Sequence, residues 1–336
     1  SDAQVATQLP LDVSGFACRN SDLKGVLLVT HKGRIISNTP LGCNDTPEAN
    51  FALGQQSSAL ATHLALMEMV HRGQIDLEAP LNSYLPEYSG QGRDAVRVQD
   101  VVAHRTGYLP TLSEYLAEEQ MTLSDLLAEK RLLTELVLTQ IPVRKVTQNN
   151  NPSKSEVNAI ILGLLIERVS GQSLRDYISD KIYAQLGINK IGSDGADLEQ
   201  MTYGHIGGQA SVESIAKIAQ LLLNMGGYGY YELIDRKSLS KFLKISSVAN
   251  ERGAGWQLNE RHTSECLSRN DFGSFASSRA FGTFSENGLV LVDPELDLTI
   301  TLLTNSRDEY LSDRYIPLLN QIYKALLQRE IHSKMN

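Results

Sequence analysis

Two serines, Ser57 and Ser58, stand at the start of a long apolar stretch in the segment FALGQQSSALATHLALMEMVHRG, residues 51–73. A serine hydroxyl is a weak nucleophile, and it attacks a carbonyl only when a neighbouring base takes its proton. Apolar residues recur at helical spacing after Ser57, so the segment predicts a buried helix that ends at Gly73. A serine at such a helix start can also simply cap it. The local pattern leaves both interpretations open.

Strand patterns lie at the two ends of the chain, and helical patterns lie in its middle. GVLLVTH and RIISN meet at Lys32-Gly33 and predict a β-hairpin, while GLVLVDPELDLTITLLTNS predicts two strands before an amphipathic last helix. This order indicates an α+β fold: an antiparallel sheet built from both termini and flanked by helices, with an inserted all-helical lobe. We expect residues 1–336 to form a single unit, with a sheet lobe of about 1–54 and 230–336 and a helical lobe of about 55–229.

Composition excludes several functional classes. The 336 residues carry a net charge of -8. An acidic chain lacks the excess positive charge that binds nucleic acid, and anionic lipid repels it. No apolar run approaches the length of a transmembrane helix. No cysteine and histidine residues have the spacing of a zinc site, so we expect neither a metal nor a cofactor.

The three cysteines give one prediction about covalent structure. Cys18 and Cys43 flank the predicted hairpin, whose open ends bring the two positions near each other. We expect a disulfide there, which would indicate an oxidising compartment; the alternative is two buried thiols. Cys266 has no neighbouring cysteine or histidine, and we interpret it as a structural thiol.

Several stretches, taken in order, resemble one known family. FALGQQSS opens a buried helix that continues into LMEMVHRGQIDLEAPLNSYLPEY, and VRVQDVVAHRTGYLP, AIILGLLIERVSGQSLRDYI and LVLVDPELDLTITLLTNS follow it. Over about residues 22–330 the chain resembles the serine β-lactamase and penicillin-binding-protein superfamily, in particular its class C-like branch. The resemblance implies the β-lactamase/DD-peptidase fold and a cell-envelope protein, periplasmic or secreted.

The family's first two motifs are degenerate at the matching positions. Its Ser-x-x-Lys falls on Gln55 and Ser58, so an amide replaces the nucleophile and a hydroxyl replaces the basic nitrogen. Its Tyr-x-Asn falls on Lys154 and Glu156. Lys154 and Glu156 could form an ion pair across the former active site.

The third motif, a lysine- or histidine-led triplet that ends in glycine, is degenerate too. The ungapped register places Gly282, Thr283 and Phe284 there, and a register with one gap places Ala280, Phe281 and Gly282 there. Neither offers the leading cation or imidazole. Loss of all three motifs argues that the acyl-transfer reaction of the family is gone.

The resulting hypothesis is a catalytically inactive β-lactamase-like scaffold that binds a cell-envelope ligand, such as a cell-wall polysaccharide, or a partner protein. The alternative is a serine esterase or amidase with a rebuilt site that uses Ser57 or Ser58 with Lys154 as its base. His104 matches a histidine that the family keeps outside its catalytic set, so we interpret it as structural. His205 precedes a Gly-Gly turn, and we reject it as the third-motif histidine.

Overall fold

The computed structural model describes residues 9–13, 24–42, 50–119, 129–143, 154–188, 207–249, 254–259, 271–305 and 311–335. The strands in these ranges are β1 (Lys24–His31), β2 (Arg34–Gly42), β3 (Phe51–Ala52), β4 (Gln209–Ala210), β5 (Gly227–Tyr228), β6 (Tyr231–Glu232), β7 (Gln257–Leu258), β8 (Phe281–Ser285), β9 (Gly288–Asp293) and β10 (Leu298–Thr304). The α-helices are α1 (His63–His71), α2 (Val98–Val102), α3 (Leu112–Glu119), α4 (Lys130–Glu135), α5 (Glu156–Ser170), α6 (Leu174–Ile178), α7 (Val212–Leu223), α8 (Arg236–Ser246) and α9 (Leu311–Met335). Short π-helical or 3₁₀ turns lie at Ser58–Thr62, Leu81–Ser83, Arg93–Ala95, Leu136–Gln140, Ser179–Tyr183, Ala184–Leu186 and Ser247–Ala249.

The chain divides into two compact units. The sheet unit comprises residues 1–53, 209–228 and 258–336, and the helical unit comprises residues 54–208 and 229–257. The expectation that the whole chain behaves as a single unit stays a prediction.

A six-stranded sheet has the strand order β2-β1-β10-β9-β8-β7. β1 pairs antiparallel with both β2 and β10, and β9 pairs antiparallel with both β10 and β8. The predicted hairpin turns at Lys32 and Gly33, whose φ angles of 52° and 70° match the mirror-image turns that suit a twisted two-strand ribbon. The predicted α+β fold, with one sheet drawn from both termini, is therefore confirmed.

One face of the sheet packs against the last helix, α9. Alternate residues of β1, β9 and β10 share a buried core with Phe284 of β8 and Tyr315 of α9, because strand side chains alternate between the two faces. The Phe284 and Tyr315 rings stack with centroids 6.2 Å apart. The Tyr323 hydroxyl donates to Asp293 Oδ2 at 2.9 Å, which anchors α9 to the end of β9.

Helix α7 belongs to the sheet unit, which differs from the division expected from the sequence. The sequence placed residues 212–223 in the helical lobe, but the helix packs against β1, β9 and β10 in the sheet unit. Its apolar stripe is buried, and helical periodicity reveals such a stripe without revealing which layer covers it. The Ser211 side chain caps the helix by accepting a hydrogen bond from the Ser214 N–H.

Helix α5 is the central element of the helical unit. Every residue from Val157 to Ile166 is buried, and α1 and α2 both pack against this helix. Gly171 ends it with φ 70°, because glycine enters the left-handed region without a steric penalty. The first turn of α5 and the residues just before it carry the second set of candidate site residues.

Candidate functional site

The segment at residues 54–62 positions the first candidates. Gly54 turns the chain with φ 53°, helical structure begins at Gln56, and a π-helical turn at Ser58–Thr62 leads into α1. π-Helical turns inside helices are frequent at functional sites. Gln55 is half-buried, whereas Ser57 and Ser58 are 2% and 4% exposed.

The described contacts of the Ser57 hydroxyl are with main-chain carbonyl oxygens. Its Oγ donates to the carbonyl oxygen of Gly54 at 2.8 Å and lies against the carbonyl oxygen of Gly207. A serine has one hydroxyl proton, and here that proton points at the backbone. Ser57 therefore joins the helix start to the Gly207 segment of the same unit.

Lys154 lies against Gln55, 99 positions earlier in the chain. The Lys154 Nζ donates to the Oε1 atom of the Gln55 amide. A hydrogen bond from an ammonium to a neutral oxygen is charge-assisted and therefore stronger than one between two neutral groups. The use of Lys154 as a base for Ser57 or Ser58 stays a prediction.

Glu156 serves the start of a neighbouring helix. Its Oε2 atom accepts the N–H of Leu112 at 2.9 Å, and its own N–H donates to the carbonyl oxygen of Pro110 at 3.0 Å. A carboxylate at a helix N-terminus satisfies an unpaired donor and complements the helix dipole. The structure thus gives Glu156 a role at the start of α3.

His104 connects three segments of the helical unit. Its Nδ1 atom accepts the Ser155 N–H at 3.0 Å and the Asn158 amide at 3.1 Å, while its Nε2–H donates to the carbonyl oxygen of Ala254 at 3.0 Å. These partners fix the neutral imidazole with its proton on Nε2. Burial, with a smaller contribution from the charge of Lys154, lowers the pKa of His104 to about 4. Since the Nδ1 lone pair is taken by two donors, the geometry supports a structural role.

The sequence did not single out His63, a second buried histidine. Its ring meets Phe242 edge-on with centroids 5.1 Å apart, and a Cβ on Gly255 would lie 2.5 Å from the His63 Cε1 atom. Burial lowers the pKa of His63 to about 3, helped by the nearby His104. The one sequence signal for a buried, neutral His63 is its position inside an apolar helix, where a charged imidazole is seldom found.

In the sheet unit, the ungapped register of the third motif lies within β8, and the gapped register begins at Ala280, one residue before the strand. Gly282 and Phe284 share a strand face, so Gly282 points towards the core under α9, and Thr283 is fully buried on the other face. A Cβ on Gly282 would lie 2.7 Å from the carbonyl oxygen of Val290. Ala280, which leads the gapped register, is buried in the same core. Gly282 therefore has no room for a Cβ atom, and a longer side chain at Ala280 would have to enter the buried core.

Several sequence predictions lie outside the described residues. The Cys18–Cys43 disulfide, Cys266 and His205 all fall there. Within the described ranges, no group of histidine, cysteine or acidic side chains could hold a metal ion. In the same part of the chain, no helix is both long and apolar enough to cross a membrane.

A sequence profile of the Beta-lactamase family matches residues 21–321. The chain belongs to the Beta-lactamase family. The N-acetylmuramyl-L-alanine amidase of Bacillus subtilis is 24% identical to it, over 90% of this chain and 85% of that protein.

Solved structures of the Beta-lactamase type share the fold. A penicillin-binding protein homolog from Caulobacter crescentus superposes with a TM-score of 0.69 at 15% identity, over 90% of this chain and 93% of that chain. A class C β-lactamase from Rhodobacter sphaeroides gives a TM-score of 0.62 at 16% identity, over 92% and 95% of the two chains. The recognition of the superfamily is therefore confirmed, and these likenesses concern the fold alone.

Within the helical unit, the structure brings two of the sequence-predicted site residues into contact. Gln55, predicted to stand at the nucleophile position, accepts a hydrogen bond from Lys154, predicted to stand at the tyrosine position. These two assignments stay predictions, and the sequence predicted a different contact for Lys154, with Glu156. It did not identify Asn158, whose amide joins His104 to Thr106 through a 2.7 Å hydrogen bond from the threonine hydroxyl.

Proposed function

We propose that this Beta-lactamase family member binds a cell-envelope ligand without catalysing acyl transfer. The observation that carries the proposal is the contact between Gln55 and Lys154. In a working site these two positions would hold a nucleophile and a group that assists it. Here they hold a neutral amide and an ammonium that donates a hydrogen bond to it.

The chemistry of the neighbouring serines supports the same conclusion. A glutamine amide does not attack an ester or a lactam. Ser57 donates its proton to backbone carbonyls, and Ser58 has no hydrogen bond to a basic group among the described residues. Nucleophilic catalysis by serine requires such a base within hydrogen-bond reach. These contacts favour the binding role over the rebuilt esterase or amidase.

The ligand class follows from the relatives and from the site. One relative is named for cleaving at N-acetylmuramyl-L-alanine, which is a peptidoglycan linkage. The half-buried Lys154 provides a positive charge at the proposed site, suited to the carboxylates of a cell-wall peptide. We therefore assign a peptidoglycan fragment as the ligand and the periplasm or the extracellular side as the location.

Covalent labelling tests whether catalysis is absent. The protein is incubated with a labelled penicillin and, separately, with a fluorophosphonate, and its intact mass is measured beside that of an active serine β-lactamase. We expect the active enzyme to gain the mass of each probe and this protein to gain none. A stoichiometric adduct that maps to Ser57 or Ser58 would overturn the proposal in favour of the rebuilt hydrolase.

Cosedimentation with purified peptidoglycan tests the binding role. The variant Lys154→Gln removes the charge at the proposed site, and Arg131→Gln removes one exposed charge elsewhere in the helical unit. We expect the parent and Arg131→Gln to pellet with peptidoglycan and Lys154→Gln to pellet several-fold less. If both variants pellet equally, the ligand does not bind at this site. If the parent fails to pellet, the proposed ligand class is wrong.

A further inference from the structure

The exposed face of helix α8 carries a concentration of positive charge. The helix, RKSLSKFLKIS, contains four basic residues and no acidic one, in a chain where acidic residues outnumber basic ones by 39 to 31. Arg236, Lys237, Lys241 and Lys244 are all exposed. Their spacing of one, four and three positions places them on one side of the helix.

The stability of α8 does not explain these charges. Arg236 and Lys237 stand in its first turn, where a positive charge opposes the helix dipole and weakens the helix. Lys244 lies in the last turn, where the dipole favours it, and Lys241 pairs with Glu78 at 2.6 Å. The two cations at the N-terminal end therefore stand where an isolated helix would favour acidic residues.

In the sequence, exposed apolar side chains lie just before and just after α8. Tyr230 is fully exposed and Tyr231 is 64% exposed just before α8, and Val248 is 39% exposed in the 3₁₀ turn just after it. Tyr230 and Tyr231 are adjacent in the chain, and neighbouring exposed apolar side chains suit contact with a partner or a membrane. Tyrosine combines an apolar ring with a polar hydroxyl, the combination found at the headgroup level of membranes.

The opposite face of α8 is fixed in the helical unit. Leu239, Phe242 and Leu243 are buried, and the Phe242 ring packs on His63. The helix therefore cannot turn these apolar residues towards another surface without disrupting its own unit. Any partner meets α8 through the basic face alone.

We propose that this surface, consisting of the basic face of α8 with Tyr230, Tyr231 and Val248, docks the protein on an anionic lipid membrane. Charge complementarity selects a phosphate-bearing surface, and each basic residue near such a surface strengthens binding about fivefold. The predominance of lysine favours lipid over an acidic protein, because protein interfaces are poor in lysine and rich in arginine. The protein has a net charge of -8, so an anionic bilayer repels the rest of its surface. The basic surface is therefore the one that faces the bilayer. The inference does not depend on the proposed function.

Vesicle cosedimentation tests the proposal with the full chain. The vesicles contain either phosphatidylglycerol mixed with phosphatidylcholine, or phosphatidylcholine alone. We expect binding to the anionic vesicles, weak binding to the neutral ones, and release of the bound protein at high salt, where the Debye length falls to about 3 Å. In Lys237→Gln/Lys244→Gln, affinity for the anionic vesicles should fall about twenty-fivefold.

A matched control separates this surface from net charge. The double variant Arg34→Gln/Arg131→Gln removes two exposed charges from other elements and changes the total charge equally. It should bind anionic vesicles within about twofold of the parent, and thermal melts of all three proteins should coincide. The proposal fails if the parent ignores anionic vesicles, or if both double variants lose affinity equally. A parent that ignores vesicles but binds an acidic protein would likewise overturn it.

Discussion

The side chains of Gln55 and Lys154, two residues that the sequence assigned to motif positions, contact each other. Residue spacing alone supports the two assignments, which stay predictions. The contact itself joins residues 99 positions apart, and no local pattern encodes which long side chain reaches which. For the same reason the predicted pairing of Lys154 with Glu156 missed the backbone donor at Leu112.

Restoring the first motif should not restore the reaction. The variant Gln55→Ser/Ser58→Lys rebuilds a nucleophile and its helical neighbour, but catalytic groups act as a unit and the other motifs stay degenerate. Ser58 is 4% exposed, so the longer and charged lysine should also lower the free energy of unfolding by about 1–3 kcal/mol. Hydrolysis of a chromogenic cephalosporin and a thermal melt measure the two effects.

Gln55→Ser alone provides the control for that double variant, since it changes the nucleophile position without burying a charge. Turnover clearly above that of the parent in the double variant would show that the remaining site is intact. The proposed binding role would then lose its main support.

His104 should contribute more to stability than a surface histidine. The substitution His104→Ala leaves the Ser155 N–H and the carbonyl oxygen of Ala254 without this partner in a buried site, which should lower the free energy of unfolding by about 3 kcal/mol. His71→Ala, at a half-buried residue, should cost about 1 kcal/mol or less. Urea denaturation at pH 7 compares the two, and equal losses would refute the structural role of His104.

At the scale of elements, sequence patterns predicted the segments with strong local signals. The hairpin at Lys32-Gly33 was predicted because a glycine-containing turn between two apolar runs marks it. Helix α8 was missed, although Asp235 caps it and the residues Leu239, Phe242 and Leu243 have helical spacing. Polar and charged residues outnumber the apolar ones in this segment, so its narrow apolar stripe is easily overlooked.

Strand β8 should not accept the residue that would rebuild the third motif. The substitution Gly282→His places a Cβ 2.7 Å from the carbonyl oxygen of Val290, within the sheet, so the strand must shift. We expect the free energy of unfolding to fall by at least about 2 kcal/mol. Arg34→His, at an exposed position of β2, is the control and should melt like the parent. A Gly282→His variant as stable as the parent would show that β8 can open to take a side chain.

At the scale of the whole molecule, stability should fall as pH falls below 7. The unfolded chain protonates both His63 and His104 near their ordinary pKa of 6.5, whereas the folded protein does so only near pH 3 and 4. Between the folded-state and the unfolded-state pKa values, the unfolded state binds more protons. The stability that the two neutral histidines contribute is therefore complete above pH 6.5 and is lost as the pH falls. Between pH 7 and pH 5 the two histidines together should lower the free energy of unfolding by roughly 3–4 kcal/mol.

Urea denaturation at pH 7, 6 and 5 measures that slope. The variant His104→Gln lacks one of the two titrating groups, and its stability should depend on pH about half as steeply in this range. A slope unchanged by the substitution would mean that His104 does not titrate differently in the folded and unfolded states.

The pairing of β1 with β10 has a consequence for synthesis of the protein. β1 and β2 leave the ribosome early, but the other neighbour of β1 is among the last strands to be made. At about 5–20 residues per second, roughly 270 residues separate His31 from its partner Leu298, a wait on the order of 15 to 50 s. During that time the apolar edge of β1 is open to strands of other nascent chains. We therefore expect a chaperone that binds extended apolar segments to associate with the nascent chain until β10 emerges.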